Sequence, residues 1–297
     1  GSDNSGRSVS MNAAGDRVAI GANYNNGNGS TAGHVRVYEY SSGSWSQLGG
    51  DIDGEAGGDR SGWSASMNAA GDRVAIGALY NDGNGTDAGH VRVYEYASGS
   101  WTQLGGDIDG EAVSDRSGIS VSMNSAGDRV AIGAYYNDGT ASEAGHVRIY
   151  SYNGSAWSKL GADIDGEAGA DYSGYSVSMN SSGDRVAIGA YGNDGSASGA
   201  GHVRVYALSS GSWTQLGADI NGEASSDYSG YSVSMNSAGD RVAIGAHEND
   251  GTSSAAGHVR IYSYNGSAWT QLGSDIDGEA GSDNSGRSVS MNAAGDR

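Results

Sequence analysis

A single unit of 56 residues is written five times along this chain, and a sixth copy begins before the sequence ends. One methionine marks the period in every copy: Met11, Met67, Met123, Met179, Met235 and Met291. A fixed period of this size is typical of propellers, solenoids and other tandem arrays. We therefore predict one repeat array over residues 1–297, with units at about 1–56, 57–112, 113–168, 169–224 and 225–280 and a partial sixth unit at 281–297.

Each unit contains four short segments with the alternation of apolar and polar residues that is typical of β-strands. In the first unit these segments are residues 8–11, 17–22, 34–40 and 45–48. Bulky residues occupy both faces of the third segment, as expected where sheets stack on one another, and no segment has a helical period. The sequence predicts an all-β chain: a β-propeller of four-stranded antiparallel blades with 56 residues per blade, in five full repeats and a partial sixth.

The charge of the chain argues against several classes of partner. There are 35 acidic and 16 basic residues, a net charge of −19, and Lys159 is the only lysine. Nucleic acids and anionic membrane surfaces bind basic faces, so neither is an expected partner. We also expect no membrane insertion, because the sequence has no apolar run of about 18 residues. An acidic surface instead suits solubility, divalent cations or basic partners.

Two recurring motifs carry a resemblance to a known family. An Ile-Gly-Ala triplet ends the second segment of every complete unit, and a Ser-Gly pair precedes every first segment. With the Val/Ile-Tyr end of the third segment and the Trp of the fourth, the chain resembles FG-GAP repeats, the blades of integrin α-chain heads. Its Gly-His-Val-Arg-Val-Tyr segment also resembles WD repeats. The resemblance implies a β-propeller, an extracellular or cell-surface location, and a role in adhesion or scaffolding.

An acidic loop joins each unit to the next and is the strongest candidate for a binding site. Clustered carboxylates repel one another unless a cation lies among them, and oxygen ligands around a turn glycine suit Ca²⁺. Calcium loops of the Asp-x-Asp-x-Asp-Gly kind also belong to the family that the chain resembles. The alternative is that these carboxylates cap turns and accept backbone N–H bonds. The candidate calcium ligands are Asp51, Asp53, Glu55, Asp59, Asp107, Asp109, Glu111, Asp115, Asp163, Asp165, Glu167, Asp171, Asp219, Glu223, Asp227, Asp275, Asp277, Glu279 and Asp283.

Catalysis is not expected from these residues. A histidine that is needed once per blade has a packing or hydrogen-bonding role, whereas a catalytic residue is needed once per site. The five histidines at one repeat position are His34, His90, His146, His202 and His258. The chain has no cysteine nucleophile and no Gly-x-Ser-x-Gly elbow. We therefore predict no enzymatic activity, no catalytic residues and no cofactor other than calcium.

Three other residue classes recur. Two arginines stand in every complete unit, at the positions of Arg17 and Arg36, and we predict that both pair with acidic loops between blades. Recurring tyrosines and tryptophans suit packing between blades, with a sugar-stacking platform as the alternative. Sequons for N-glycosylation begin at Asn28, Asn84, Asn153, Asn180 and Asn265.

The end of the chain reprints its beginning, since residues 281–297 match residues 1–17 at every position. A five-blade ring has one place for that first strand, so we expect the surplus copy to be displaced or to pair outside the ring. An unpaired strand is a template for another chain, and a head-to-tail contact that does not close gives a filament. We therefore expect an extracellular structural or adhesion protein that assembles with itself through this strand. A lectin-like or calcium-dependent ligand-binding propeller is the alternative, with glycans or other extracellular proteins as partners.

Overall fold

Twenty-five short strands and no helix make up residues 3–297, the part of the chain that the computed structural model describes. The strands are β1 (Ser5–Met11), β2 (Arg17–Ala22), β3 (His34–Ser41), β4 (Ser44–Gln47), β5 (Ile52–Asp53), β6 (Ser64–Met67), β7 (Arg73–Ala78), β8 (His90–Ala97), β9 (Ser100–Gln103), β10 (Ile108–Asp109), β11 (Ser120–Met123), β12 (Arg129–Ala134), β13 (His146–Tyr152), β14 (Trp157–Lys159), β15 (Ile164–Asp165), β16 (Ser176–Met179), β17 (Arg185–Ala190), β18 (His202–Ser209), β19 (Ser212–Gln215), β20 (Ile220–Asn221), β21 (Ser232–Met235), β22 (Arg241–Ala246), β23 (His258–Tyr264), β24 (Trp269–Gln271) and β25 (Ile276–Asp277). The described residues therefore offer no helix that could cross a membrane.

Each repeat forms one antiparallel sheet, and the prediction of an all-β chain of propeller blades is confirmed. In the first, second, fourth and fifth repeats the four main strands pair in chain order, so that every connection is a hairpin. A two-residue strand then pairs with the third strand, as Ile52 does with Val35, and the sequence pattern had not predicted it. The described residues pack as two compact units, residues 3–137 with 149–159 and residues 138–148 with 160–297.

Thin apolar cores lie between neighbouring sheets, and one strand serves two of them. In β7, Val74 and Ile76 pack into a core that the first repeat supplies through residues such as Val35. Ala75, between them in sequence, packs on the other side with Met123 and other residues of the third repeat. Successive side chains of a strand point to opposite faces, so a strand that is buried on both sides is apolar at every position.

The Ile-Gly-Ala motif has a steric cause. A Cβ atom added at Gly77 would overlap the carbonyl oxygen of Gly118 in the next repeat, so this strand position tolerates only glycine. The Oγ of Ser64 donates to the same carbonyl oxygen over 2.8 Å. The backbones of neighbouring repeats approach closely at this point. The close approach requires glycine in the second strand and explains the Ser-Gly pair that precedes each first strand.

Two predicted strands have different ends in the structure. The fourth strand of the first repeat, expected at residues 45–48, is Ser44–Gln47, and Leu48 lies beyond it in the core. The first strand, expected at residues 8–11, begins at Ser5 because a register shift between Ser5 and Ser8 lets the pairing with β2 continue. In the second, fourth and fifth repeats the first strand has only four residues.

The two copies of the reprinted segment have different neighbours along the chain. The first copy contains β1, which pairs with β2. The second copy packs on the fifth repeat as the first strand of any repeat packs on the one before it. Met291 N–H donates to Ser234 Oγ over 3.0 Å, as Met235 N–H does to Ser178 Oγ over 2.9 Å. Residues 281–297 therefore begin a sixth unit, which ends before its second strand.

Candidate functional site

A buried histidine begins the third strand of each repeat and lies next to the acidic loop. His90 is 1% exposed, and β-pairing places it opposite Ala78 on one side and Asp109 on the other. Its Nδ1 lies 3.9 Å from Oε2 of Glu55 in the preceding loop and 4.0 Å from Oδ1 of Asp109. Ligand atoms of Glu55, His90 and Asp107 all lie within 4.8 Å of one another. We call these three residues the second-repeat histidine cluster.

An arginine holds the glutamate of this cluster. Nη1 of Arg92 lies 3.2 Å from Oε1 of Glu55, and Nη2 of Arg92 donates to the carbonyl oxygen of Asp53 over 2.8 Å. The guanidinium therefore ties the loop of the first repeat to the sheet of the second. Since it contacts Oε1 of the glutamate, Oε2 remains on the side of His90.

Burial keeps the imidazole neutral at physiological pH. Burial and then the charge of Arg92 lower the pKa of His90 from 6.5 to about 4, against the opposing effect of nearby carboxylates. The pKa of Glu55 is raised, first by burial and then by Asp107 and its neighbours, although Arg92 opposes this shift. The cluster thus combines a neutral nitrogen base with carboxylates that are close to one another.

The same arrangement recurs in the fourth and fifth repeats. Nδ1 of His202 lies 4.0 Å from Oε2 of Glu167, and Nδ1 of His258 lies 4.0 Å from Oε2 of Glu223. Nε2 of each histidine is buried without a hydrogen-bond partner among the described residues. The complete clusters are Glu167 with His202 and Asp219, and Glu223 with His258 and Asp275.

The cluster of the first repeat has a different composition. Nδ1 of His34 lies 3.5 Å from Oδ2 of Asp51 and 3.8 Å from Oδ1 of Asp53, so both acids come from its own repeat. Arg36 forms a bidentate pair with Asp51, with distances of 2.9 Å and 2.8 Å.

The structure divides the predicted calcium ligands into two groups. The last acid of each loop caps a turn. Oδ2 of the buried Asp59 accepts hydrogen bonds from the N–H of Ala56 over 3.0 Å and from Nδ2 of Asn81 over 3.1 Å. The other buried caps of this kind are Asp115, Asp171 and Asp227, and Asp283 makes the same turn bond at an exposed position.

The remaining acids lie nearer to the histidines. Asp277 lies 4.0 Å from Nδ1 of His258, as Asp109 does from that of His90. Asp165 is the strand partner of His146, with Asp163 just before that strand. Glu111 and Glu279 are exposed in their loops. The four acids of a loop therefore do not converge on one point, and calcium binding stays a prediction.

The two recurring arginines behave differently. Arg17 pairs with Glu39 of its own sheet over 2.7 Å and donates to the carbonyl oxygen of Gly71, so its predicted pairing with an acidic loop is wrong. The prediction holds for the second set, where Arg92 binds Glu55 of the preceding repeat. The partner of Arg17 could not be recognised from the sequence, because the position of Glu39 is acidic only in the first two repeats.

A ladder of stacked planar side chains lies along one edge of the sheets, and sequence reasoning missed it. In the first compact unit, the guanidinium of Arg60 lies between the rings of Tyr24 and Tyr80, at 4.7 and 4.6 Å from their centroids. Arg116 lies in the same way between Tyr80 and Tyr136, at 5.0 and 4.6 Å. Cation–π contacts of this geometry are attractive, so the ladder joins successive repeats.

In the second compact unit, aromatic rings take the corresponding places in the ladder. Tyr191 stacks on Tyr172 with centroids 5.1 Å apart, and Tyr228 stacks on His247 at 6.0 Å. Tyr191 and Tyr228 meet edge to face at 5.9 Å. A signal was present in the sequence: these positions differ strongly between repeats that are otherwise nearly identical.

One predicted glycan site is wrong. Asn180 is only 3% exposed, and its Nδ2 donates to Asp184 over 2.7 Å, so it caps the turn between two strands. Asn28 also uses its Nδ2, which donates to the carbonyl oxygen of Gly54 over 2.7 Å. Occupancy of the other sequons stays a prediction.

Comparison with known proteins identifies the fold and no family. No family model and no curated protein matches the chain. Among solved structures, a Bacteroides uniformis protein provisionally assigned as a 6-phosphogluconolactonase is similar with a TM-score of 0.61 and 9% identity, covering 91% of this chain and 71% of that one. Kuenenia stuttgartiensis hydrazine synthase is similar with a TM-score of 0.61 and 11% identity, covering 97% of this chain and 78% of that one.

The first of these structures contradicts the prediction that the chain is not an enzyme, because an enzyme name is attached to the same fold. The prediction failed because it rested on the positions that every repeat shares. A fold hosts many functions, and sites are built on it from residues that differ locally. At such low identity the likeness shows the fold alone, and the resemblance to FG-GAP repeats stays a prediction.

Proposed function

We propose that this protein is an extracellular structural or adhesion protein whose copies join end to end and continue the 56-residue repeat from one chain to the next. The observation that carries the proposal is the exposure, in the first repeat and in the last complete repeat, of side chains whose counterparts between internal repeats are buried or partly buried. The resemblance to FG-GAP repeats supports the location and the adhesive role.

The last complete repeat exposes one half of the repeat–repeat contact. Ile276 is 57% exposed and Leu272 is 46% exposed, whereas Ile220, the counterpart of Ile276 in the fourth repeat, is 4% exposed. With Val259 and Ile261, these side chains line a groove of about 570 Å³. We call this surface the trailing face. Internal faces of this kind are covered by the next repeat, as Ile220 is by Met235 and Val242 among others.

The first repeat exposes the other half. Val9 and Met11 are 59% and 52% exposed, and Trp45 is 46% exposed. In the second repeat, by contrast, Met67 is 7% exposed and Trp101 is packed against the core, donating its Nε1–H to the carbonyl oxygen of Leu48 over 2.8 Å. We call the surface of the first repeat the leading face. Exposed patches of large apolar side chains mark interaction sites.

The partner we commit to is a second copy of this chain, since the leading face has the residues that cover a trailing face at each internal contact. The reprinted segment supplies the register. Residue 297 corresponds to residue 17 of the repeat. If residue 18 of one copy is placed directly after residue 297 of another, the 56-residue period continues from one copy to the next without a break. Residues 281–297 of one copy then take the place of residues 1–17 of the next. An exchange of identical elements costs little, because each strand regains the same partners.

The assembly is tested by the mass of the particle in solution. Ile276→Asp on the trailing face and Trp45→Asp on the leading face should each abolish assembly, because a charge would enter an apolar contact. Val113→Asp is the matched control, since Val113 is 61% exposed in a loop outside both faces. Light scattering coupled to size exclusion should give long species for the native chain and for the control, and single chains for the two variants. Equal behaviour of all four proteins would refute the proposal.

A further inference from the structure

We propose that the histidine clusters of the second, fourth and fifth repeats are binding sites for a divalent transition-metal ion of the zinc class. Each site takes one glutamate from the preceding loop and one histidine and one aspartate from the following sheet. In the second repeat these ligands are Glu55, His90 and Asp107. The inference is independent of the proposed assembly, because every ligand of a site belongs to one chain.

The histidine supplies the first argument. His90 is 1% exposed, and its Nδ1 has no hydrogen-bond partner among residues 3–297. A buried polar atom without a partner is costly, and native structures rarely leave one without an ion or a water. The atom faces Oε2 of Glu55 at 3.9 Å, which is too long for a hydrogen bond and leaves room for a bridging ion.

The distances suit a metal after a small adjustment. Ligand atoms bound to a tetrahedral zinc ion at about 2.1 Å lie about 3.4 Å apart. The observed separation of His90 Nδ1 and Glu55 Oε2 is 3.9 Å, and the side chain of Glu55 is 43% exposed, so it can move toward the ion. Three protein ligands with one open position are typical of zinc sites that keep a water molecule.

The ligand set decides between metals. Calcium binds through oxygen atoms and takes six to eight of them. A buried imidazole nitrogen with two carboxylates instead suits Zn²⁺, Co²⁺ or Ni²⁺. Arg92 orients Glu55 through Oε1 and therefore serves as a positioning residue, because its contact leaves Oε2 directed at the imidazole.

The arrangement recurs where the repeats provide the same three residues. Nδ1 of His202 and Nδ1 of His258 lie 4.0 Å from the glutamates of their preceding loops, Glu167 and Glu223. Agreement among the three copies shows that the spacing is a property of the repeat. The unpartnered buried nitrogen is Nδ1 in His90 and Nε2 in His202 and His258, so the second-repeat site rests on the unpartnered atom and the spacing, and the other two rest on the spacing. The geometry points to three zinc ions per chain at these clusters.

The experiment counts zinc bound per chain, with the full chain and two matched triple variants. One variant carries Glu55→Gln, Glu167→Gln and Glu223→Gln. The control carries Asp82→Asn, Asp194→Asn and Asp250→Asn, whose side-chain oxygens accept loop N–H groups, a role that asparagine retains. Both variants lose three negative charges, so a difference between them reports on the clusters and not on net charge. Circular dichroism checks that both remain folded.

We expect titration with Zn²⁺ alone to load the native chain and the control equally and the Glu→Gln variant with three ions fewer. Cobalt substituted for zinc should give visible absorption bands of a nitrogen- and oxygen-ligated site, and these should be lost in a His90→Gln, His202→Gln, His258→Gln variant. An excess of Ca²⁺ should leave the bound zinc in place. Failure of the native chain to bind zinc, equal losses in the two triple variants, or displacement by Ca²⁺ would each overturn the proposal.

Discussion

The first and second repeats have the same sequence around their histidines and different surroundings. In the first repeat Arg36 is 43% exposed and turns to Asp51 of its own loop. In the second repeat the equivalent Arg92 is 8% exposed and binds Glu55 of the repeat before it. A single repeat therefore does not determine its own arrangement of side chains, because the preceding repeat supplies the partner.

The apolar surfaces teach the same lesson. Met11 of the first repeat is 52% exposed, and Met67 of the second is 7% exposed. Repeat arrays derive their stability from each repeat and from each contact between neighbours. The second repeat packs against the first and the third, whereas Val9 and Met11 of the first repeat are exposed, so matched substitutions in the two repeats measure what one contact contributes.

A charge placed in the contact should give the largest difference. Val74 is fully buried, and Val74→Asp should lower the free energy of unfolding by roughly 3–5 kcal/mol, because it leaves an unpaired charge in an apolar core. Val18→Asp, at the same position of the first repeat, should cost about 1 kcal/mol or less in the isolated chain, where Val18 is only half-buried. Urea unfolding at low protein concentration compares the two. Equal losses would mean that the first repeat is buried in the single chain.

Truncation of the recurring methionine should give a smaller difference. Met67→Ala should cost about 2–3 kcal/mol, because it leaves a cavity between the first two sheets. Met11→Ala should cost less than about 0.5 kcal/mol in single chains, since solvent already contacts this side chain. Thermal unfolding of the two variants, measured below and above the concentration at which copies associate, should show the cost of Met11→Ala staying small, because Met291 of another copy takes the place of Met11 in the assembly. A cost that rises toward that of Met67→Ala on association would contradict strand exchange.

Acid should destabilise the chain through its buried histidines. The folded-state pKa of His90 and of His202 is lowered to about 4, so between pH 6.5 and about 4 the unfolded chain binds protons that the folded chain does not. Stability from these groups is complete above pH 6.5 and is lost as the pH falls through that window. The charged groups near His90 are Arg92, Asp107 and Asp59, together with Glu55 and Asp109 at 3.9 and 4.0 Å from its Nδ1.

The measurement is urea unfolding in EDTA as a function of pH. A His90→Gln, His202→Gln variant should lose less stability than the native chain between pH 6.5 and about 4, because two of the proton-binding groups are gone. Parallel curves would show that carboxylates alone produce the acid sensitivity.

The sequence was sufficient to predict the fold, because the 56-residue period and the alternation of apolar and polar residues depend directly on strand geometry and on packing between sheets. The third strand was predicted to begin at His34, and it does, because Val35 and Val37 alternate with polar residues that face the neighbouring strands and loops. The fourth strand was placed one residue late, since Trp45 is the only strong signal there and strand ends depend on local hydrogen bonds.

The site could be predicted only in outline. The acidic loops were recognised, but nothing in their spacing says that Asp59 turns inward as a cap while Glu55 turns toward the next sheet. The partner of Glu55 is His90, in the following repeat, and a contact over that separation depends on how two sheets stack. The backbone conformation of the ladder residues could not be predicted from the sequence either. Arg60 and Tyr172 both have a φ of 56°, in the left-handed region that bulky residues seldom adopt.

Deletion of residues 1–17 tests the role of the reprinted segment. The shortened chain keeps residues 281–297, which are identical to the deleted part and can pair with β2 of the next copy. Because its own competing strand is gone, the shortened chain should associate at lower concentration than the full chain. Association that is weaker, or lost while circular dichroism still shows β-structure, would remove strand exchange from the account.

The most direct test of the central claim is the native mass of the full chain as a function of concentration. The chain has a mass of 29.9 kDa, and joining of leading to trailing faces predicts species at integer multiples of that mass that lengthen as the concentration rises. Filaments seen by negative-stain microscopy should have a repeat distance equal to the length of one chain. A single species of 29.9 kDa at every accessible concentration would contradict the claim that the two exposed faces are halves of one contact.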